Sequence, residues 1–221
     1  PEPARDNGPS PCLPSNLGLT HEAALLHLSL FGAADSMEPH GRNLPVPHPR
    51  SYWVEPGTFI AGSYPGDLGK REAEAKLAAL LDAGVRSFMN LMEPDEVDSS
   101  GNLFRPYEAL CRQLAQSRGI EVAFHRMPIH DESVPTPDHM ARILDVIDAE
   151  MRRGVVYVHC WGGRGRTGTV VGCWLARHGR AVGDEALRRV QHLRRHEETA
   201  SKLSPQTECQ REMVRRWREG I

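Results

Sequence analysis

The sequence predicts an α/β fold, a central and mainly parallel sheet flanked by helices. Three observations carry that prediction. Short runs rich in Val, Ile, Phe and Met recur between residues 58 and 158, each of strand rather than helix length. Between them lie longer stretches whose apolar residues follow helical spacing, so strands alternate with helices as in βαβ units. The most apolar run, Val155-Val156-Tyr157-Val158, then passes through a glycine-rich loop straight into another helical stretch.

The elements follow in chain order. Nine of the 17 prolines fall in residues 1–49, and proline both lacks a backbone donor and restricts its neighbour. That stretch reads as a proline-rich arm, 1–49, ahead of a folded domain, 50–221. One short helix is expected in the arm, from Thr20 as N-cap to Gly32, with Leu25, Leu26 and Leu28 on its apolar face. A strand is expected at 58–61, then a Gly/Pro turn through 62–69. Residues 70–82 form a helix with Ala73, Leu77, Leu80 and Leu81 on one face, stopped by Gly84. A buried strand at 85–91, a helix at 104–117 and a strand at 120–127 come next. Thr136 and Pro137 supply an N-cap and a first-turn proline for a helix that Gly154 ends. After the strand at 155–158, helices are expected at 166–178, 184–196 and 204–218.

Charge and composition narrow the function. Lys+Arg number 27 against 29 Asp+Glu, a formal net charge of -2, which argues against nucleic-acid or membrane-surface binding driven by overall charge. No apolar stretch nears the roughly 20 residues of a membrane-spanning helix, and the first residues, Pro1-Glu2-Pro3-Ala4-Arg5-Asp6, show no leader pattern. Five cysteines without a CxxC pair fit neither a disulfide framework nor a zinc site, and predict a reducing, cytoplasmic setting with mostly buried thiols. His192 and His196 have the spacing of two metal ligands on a helix, but no third ligand accompanies them, and neither metal nor cofactor is expected. Arg188, Arg189, Arg194 and Arg195 are expected to form a solvated basic face.

The chemistry is concentrated in His159-Cys160-Trp161-Gly162-Gly163-Arg164-Gly165-Arg166-Thr167. A strand, a glycine-rich loop and a helix N-terminus together cradle an anion, because successive backbone N–H groups and the helix dipole converge on one spot. Gly162, Gly163 and Gly165 allow backbone conformations that side chains forbid. Cys160 stands at the start of that loop, where the field favours a negative sulfur, and Arg166 offers a planar fork matched to two phosphate oxygens. A tetrahedral oxyanion accounts for all of these parts. Asp131, in the loop after the 120–127 strand, lies at the same end of the sheet by the right-handed crossover rule, where a carboxylic acid can protonate a leaving oxygen. Glu132 is the second candidate for that role.

These residues resemble the signature of the cysteine-based protein tyrosine phosphatase superfamily. The resemblance implies that Cys160 is the nucleophile forming a phosphocysteine and that Arg166 binds the phosphoryl group. It implies that His159 supports the loop, and that Thr167 stabilises the sulfur as it leaves. Trp161, Gly162, Gly163, Arg164 and Gly165 would complete the phosphate cradle. Residues 127–135 look like the family's general-acid loop, with Asp131 as the acid, and Gln206-Thr207-Glu208-Cys209-Gln210 resembles a glutamine motif that positions the hydrolytic water. Read as neighbours on one helix face, Gln206 and Gln210 fit that role, and Cys209 between them is expected to pack. The short domain resembles the dual-specificity type, and its motif wording is similar to the cyclin-dependent-kinase-associated phosphatases. The implied partner is a phosphorylated protein or small phosphomonoester. Arg164 points to highly anionic substrates, since that loop position is basic in some phosphoinositide phosphatases, although Trp161 stands where those carry a second loop lysine. An inositol phosphate or phosphoinositide phosphatase is therefore the first alternative, and a catalytically silent phosphate-binding adaptor the second.

Overall fold

The computed structural model describes residues 44–67 and 69–220; the expected helix at 20–32 lies outside the described residues. The elements are β1 (Ser51–Glu55), β2 (Phe59–Gly62), α1 (Lys70–Asp82), β3 (Val85–Asn90), α2 (Glu108–Gln116), β4 (Ala123–Arg126), α3 (Pro137–Met151), β5 (Val155–His159), α4 (Arg166–Arg177), α5 (Gly183–Leu193) and α6 (Glu208–Arg216). One five-stranded sheet runs in the order β1-β2-β5-β3-β4. Its strands are parallel except for β1, which pairs antiparallel with β2. The mainly parallel sheet flanked by helices is the architecture the sequence predicts.

The centre of the sheet explains why β5 reads as a continuous apolar run. Val156 and Val158 face the core shared with α3, α4, α5 and α6. Val155 and Tyr157 face the core shared with α1 and α2. A strand covered on both faces has no solvent side on which to place polar residues. The predicted face of α1 and the end signals of α1 and α3 hold: Ala73, Leu77, Leu80 and Leu81 are buried, Gly84 turns the chain at φ 93°, and the Thr136 hydroxyl accepts from the His139 amide at 3.2 Å.

Register decides where the loops emerge. Gly62 pairs with His159, His159 with Asn90, and Asn90 with Arg126. These residues end β2, β5, β3 and β4, so the four strands finish in one row. The loops that follow them leave from the same edge, where open α/β sheets bind ligands.

Several boundaries differ from expectation, among them β4, which begins at Ala123 rather than at residue 120. β1 was not expected as a strand, although Tyr52 and Val54 are buried about Trp53 and the Pro56-Gly57 turn follows, with Gly57 at φ 82°. α2 begins at Glu108 rather than at residue 104: Pro106 has no N–H and disfavours helix in the residue before it, and Leu103 instead bridges to Val97. α6 begins at Glu208 rather than 204, behind Pro205 and a capping box on Thr207. α5 stops at Leu193, and this removes Arg194 from the expected basic face. Its guanidinium is fully buried and donates to Glu197 Oε2 at 2.7 Å, Thr199 Oγ1 at 2.9 Å and the Lys202 carbonyl at 3.1 Å. A buried cation needs such a set of acceptors. The early helix end also parts His192, in α5, from His196 beyond it, so the two do not share one helical face.

Residues ahead of β1 pack on the domain. His48 is buried, with Nε2 2.9 Å from the Tyr157 hydroxyl, which donates to the Ser63 carbonyl at 2.5 Å.

Candidate active site

β5 delivers His159 and Cys160 to the edge of the sheet. Tyr107 lies 2.7 Å from His159 Nε2, and His159 Nδ1 lies 3.3 Å from the Cys160 carbonyl. A neutral imidazole satisfies both contacts, donating from Nδ1 and accepting the tyrosine proton at Nε2. Burial pushes the His159 pKa down to about 3, and burial likewise lowers His48 to about 4, helped by Lys76 and Arg50. Unfolded, both titrate near 6.5, so below that pH the unfolded chain binds more protons and stability falls with acidification. The loss begins near pH 6.5 and levels off near the two folded values. Between pH 7 and pH 5 the pair is expected to cost on the order of 3–4 kcal/mol. Urea unfolding at the two pH values measures this; a flat stability across the interval would contradict it.

The loop after Cys160 is held from outside by its carbonyls. The Trp161 carbonyl accepts from the Tyr64 amide at 2.9 Å, Gly162 from Arg50 Nη2 at 3.0 Å, Arg164 from the Ser204 hydroxyl at 2.7 Å, and Gly165 from the Thr169 amide at 3.0 Å. None of the amides of residues 161–165 donates to another group among the described residues. Carbonyls turned outward leave N–H groups for an anion. Gly163 is the one loop position where the backbone demands glycine: it has φ 73°, and a Cβ there would lie 2.6 Å from the Gly62 carbonyl carbon. The Thr167 hydroxyl donates to Cys160 Sγ at 3.1 Å.

Arg166 opens α4 and is 1% exposed. Its two terminal nitrogens each donate to one carboxylate oxygen of Glu96 at 2.6 Å; Nη1 also meets the Ile129 carbonyl at 3.2 Å, and Nη2 lies 3.0 Å from Asp131 Oδ1. Two parallel bonds to a carboxylate fix the plane of a guanidinium. Burial works against its charge, but Glu96 outweighs this and raises its pKa further. Sequence reasoning missed Glu96. It lies among Glu93, Asp95 and Asp98, and nothing in that acidic stretch distinguishes one carboxylate from another.

Asp131 is half exposed in the loop after β4, and Glu132 beside it has φ 56°. Left-handed backbone at a side-chain-bearing residue needs outside support. Gln206 Nε2 donates to Glu132 Oε1 at 2.9 Å, the Thr207 hydroxyl to the Glu132 carbonyl at 3.1 Å, and Gln210 Nε2 to the Ser133 carbonyl at 3.1 Å. The glutamines are therefore not neighbours on one helix face. Gln206 precedes the helix, and Gln210 is buried, its Oε1 accepting from the amides of Gln206 and Thr207 at 3.1 Å each. Cys209 is exposed rather than packed, whereas Cys173 is buried as expected.

These groups converge on a cleft of about 340 Å³ lined by Cys160, Arg166, Asp131, Glu132 and Gln206, with Arg50, Arg164, Thr199 and Lys202 also on its walls. Trp161, 36% exposed, stands between it and a neighbouring cavity of about 480 Å³. The arrangement can seat a phosphoryl group over a sulfur, with a guanidinium and amides around its oxygens and a carboxyl group alongside. Among the described residues no group of three or more His, Cys, Asp or Glu side chains is placed to hold a metal ion. No helix among them is long and apolar enough to cross a membrane.

Comparison with known proteins agrees with this geometry. Over 138 residues the chain is 28% identical to the dual specificity protein phosphatase CDC14A of Mus musculus, covering 61% of this chain and 21% of that protein. The chain spans about a fifth or less of the length of the curated relatives it matches. The crystal structure of Tk-PTP in its active form superimposes with a TM-score of 0.54 at 24% identity, covering 78% of this chain and 99% of that one. PTPMT1 in complex with PI(5)P gives a TM-score of 0.53 at 19% identity, covering 76% and 93%. Both share the fold. Residues 48–218 match the family model described as PTP-SAK, the Swiss Army Knife protein DSP-PTPase phosphatase domain. With the strand, cysteine loop and buried arginine in place across that span, the chain belongs to this family of dual-specificity-type phosphatase domains.

Proposed function

We propose that the domain hydrolyses phosphomonoesters in two steps through a phosphocysteine at Cys160. The observation that carries this is the single cleft in which Cys160 Sγ, with the Thr167 hydroxyl on it, opens beside an Arg166 held flat by Glu96. In the first step Sγ attacks phosphorus, the P–O bond to the leaving group breaks, and Asp131 gives its proton to the departing oxygen. In the second, water attacks phosphorus, Asp131 takes a proton from it, and the P–S bond breaks. Thr167 then donates to the sulfur that carries the charge. Arg166 and the loop amides supply charge stabilisation, which supports catalysis mainly by positioning and electrostatics. Gln206 and Gln210 set the acid loop, and Gln206, on the cleft wall, is also placed to orient water. A thiol nucleophile requires a reducing compartment, in keeping with four free cysteines among the described residues.

Phosphate release from phosphotyrosine peptides, phosphothreonine peptides and inositol phosphates tests the reading, and no release from any of them by folded, reduced protein would overturn it. Asp131→Asn is expected to slow alkyl phosphates by about 10²–10⁴-fold and p-nitrophenyl phosphate far less, because that leaving group departs without a proton. Equal losses on both would remove Asp131 from the acid role.

A further inference from the structure

Besides Arg166, three cations line the cleft: Arg50, Arg164 and Lys202. Two carboxylates face them. Asp131 lies beside Arg166, and Glu132 accepts from Gln206. Neither Arg164 nor Lys202 has an ion-pair partner among the described residues, and Arg50 has only Glu197 at 3.8 Å. This positive excess occurs in a chain of net charge -2, so it reflects placement rather than composition.

The three cations come from separate segments that are tied together. Arg50 donates to the Gly162 carbonyl at 3.0 Å, and the Glu198 amide donates to the Pro49 carbonyl at 2.9 Å. Ser204 holds the Arg164 carbonyl at 2.7 Å. Buried Arg194 fixes the backbone of Thr199 and Lys202, and Gln191 fixes Ala200 and Ser204. Anchored backbones under Arg164 and Lys202, and a guanidinium of Arg50 already seated on the loop, cut the ordering cost of binding an anion.

We propose that Arg50, Arg164 and Lys202 form a second anion subsite, which takes the second phosphate of a small bisphosphorylated substrate. This rests on the phosphatase reading, with Cys160 and Arg166 taking the phosphate that is cleaved. A cleft of about 340 Å³ is at the small end of ligand pockets, which span ~300–1,000 Å³, so both phosphates belong to one compact scaffold such as a polyol ring.

The matched probes are myo-inositol 4-phosphate and myo-inositol 1,4-bisphosphate, with phosphatidylinositol 4-phosphate in phosphatidylcholine vesicles as a third arm. The unaltered protein is expected to favour the bisphosphate over the monophosphate in kcat/KM by about tenfold, the scale of one charge-assisted contact. Lys202→Ala is expected to erase most of that ratio and Lys202→Glu to invert it; Lys70→Ala, on exposed α1, should leave it intact. The Lys202 side chain is exposed and its carbonyl, not its amine, holds Arg194, so these variants keep the fold. Calorimetric Kd values on Cys160→Ser protein repeat the comparison without turnover. Loss of turnover on every probe would therefore defeat the phosphatase reading, while the Kd ratio still decides the subsite. A preference on the soluble bisphosphate assigns the second phosphate to a free small molecule, and one confined to vesicles assigns it to a lipid headgroup. Equal kcat/KM and Kd for mono- and bisphosphate with no gain on the vesicles, or a preference that survives Lys202→Glu, would overturn the proposal.

Discussion

Cys160→Ser is expected to lower phosphate release by roughly 10³-fold or more while leaving phosphate binding within a few-fold of the unaltered protein. The two side chains have nearly the same shape, and the loop is held by its outward carbonyls rather than by the sulfur. Binding therefore survives. Attack does not, because a serine hydroxyl needs a general base bonded to it, and among the described residues only the Thr167 hydroxyl bonds to the side chain at 160. Thr167 donates to the position rather than accepting from it. Arg166 cannot take a proton, and His159 points its nitrogens at Tyr107 and the Cys160 carbonyl. A thiol needs less help, being the better nucleophile with an accessible anionic form. Initial-rate phosphate release together with calorimetry of the same variant measures both halves. A serine variant that retained a tenth of the activity would place the nucleophile elsewhere.

The sequence is most readable where one local pattern meets one physical demand. Val155–Val158 is apolar because β5 is covered on both faces, and the glycine at 163 is explained by its φ of 73° and by the 2.6 Å approach to Gly62. α1 carried its face and its stop signal, and α3 its N-cap and first-turn proline. Legibility fails where a residue's role depends on something distant in the chain. Glu96 is 70 residues from Arg166, and only the register that ends β3 beside β5 brings them together. Gln206 and Gln210 looked like a helix-face pair because spacing of four implies one; Pro205 and the Thr207 capping box start the helix between them instead, and turn both amides toward the acid loop. Arg194 looked like surface because arginine usually is; the acceptors that bury it come from a turn with no sequence signature. Lys202 and Arg50 escaped for the same reason, each being an ordinary cation until the fold gathers them.

The acid loop shows the consequence of that gathering. Asp131 is next to a residue in left-handed backbone, and the contacts that hold this conformation come from the segment 206–210. Gln210 also lies next to the cysteine loop, its side-chain amide 3.2 Å from where a Cβ on Gly165 would sit.

Glu96→Ala is expected to be the most destabilising single change in the site, at about 3–5 kcal/mol, because it leaves a buried guanidinium without its carboxylate. For a domain of this size that is a fall in Tm of roughly 6–20 °C. Activity should fall with it, since without the two parallel bonds to Glu96 the guanidinium loses the plane in which it faces the phosphoryl group. Loss of packing alone also predicts instability, and the double variant Glu96→Met, Arg166→Met separates the two causes. Replacing a whole buried ion pair by apolar side chains of similar size is often close to neutral in stability. The double variant is therefore expected to melt within a few degrees of the unaltered protein while remaining inactive, with the anion ligand gone. Thermal melts of the three proteins decide the matter: a double variant as unstable as Glu96→Ala would show that the cost lies in the lost contacts of Glu96 and not in the stranded charge.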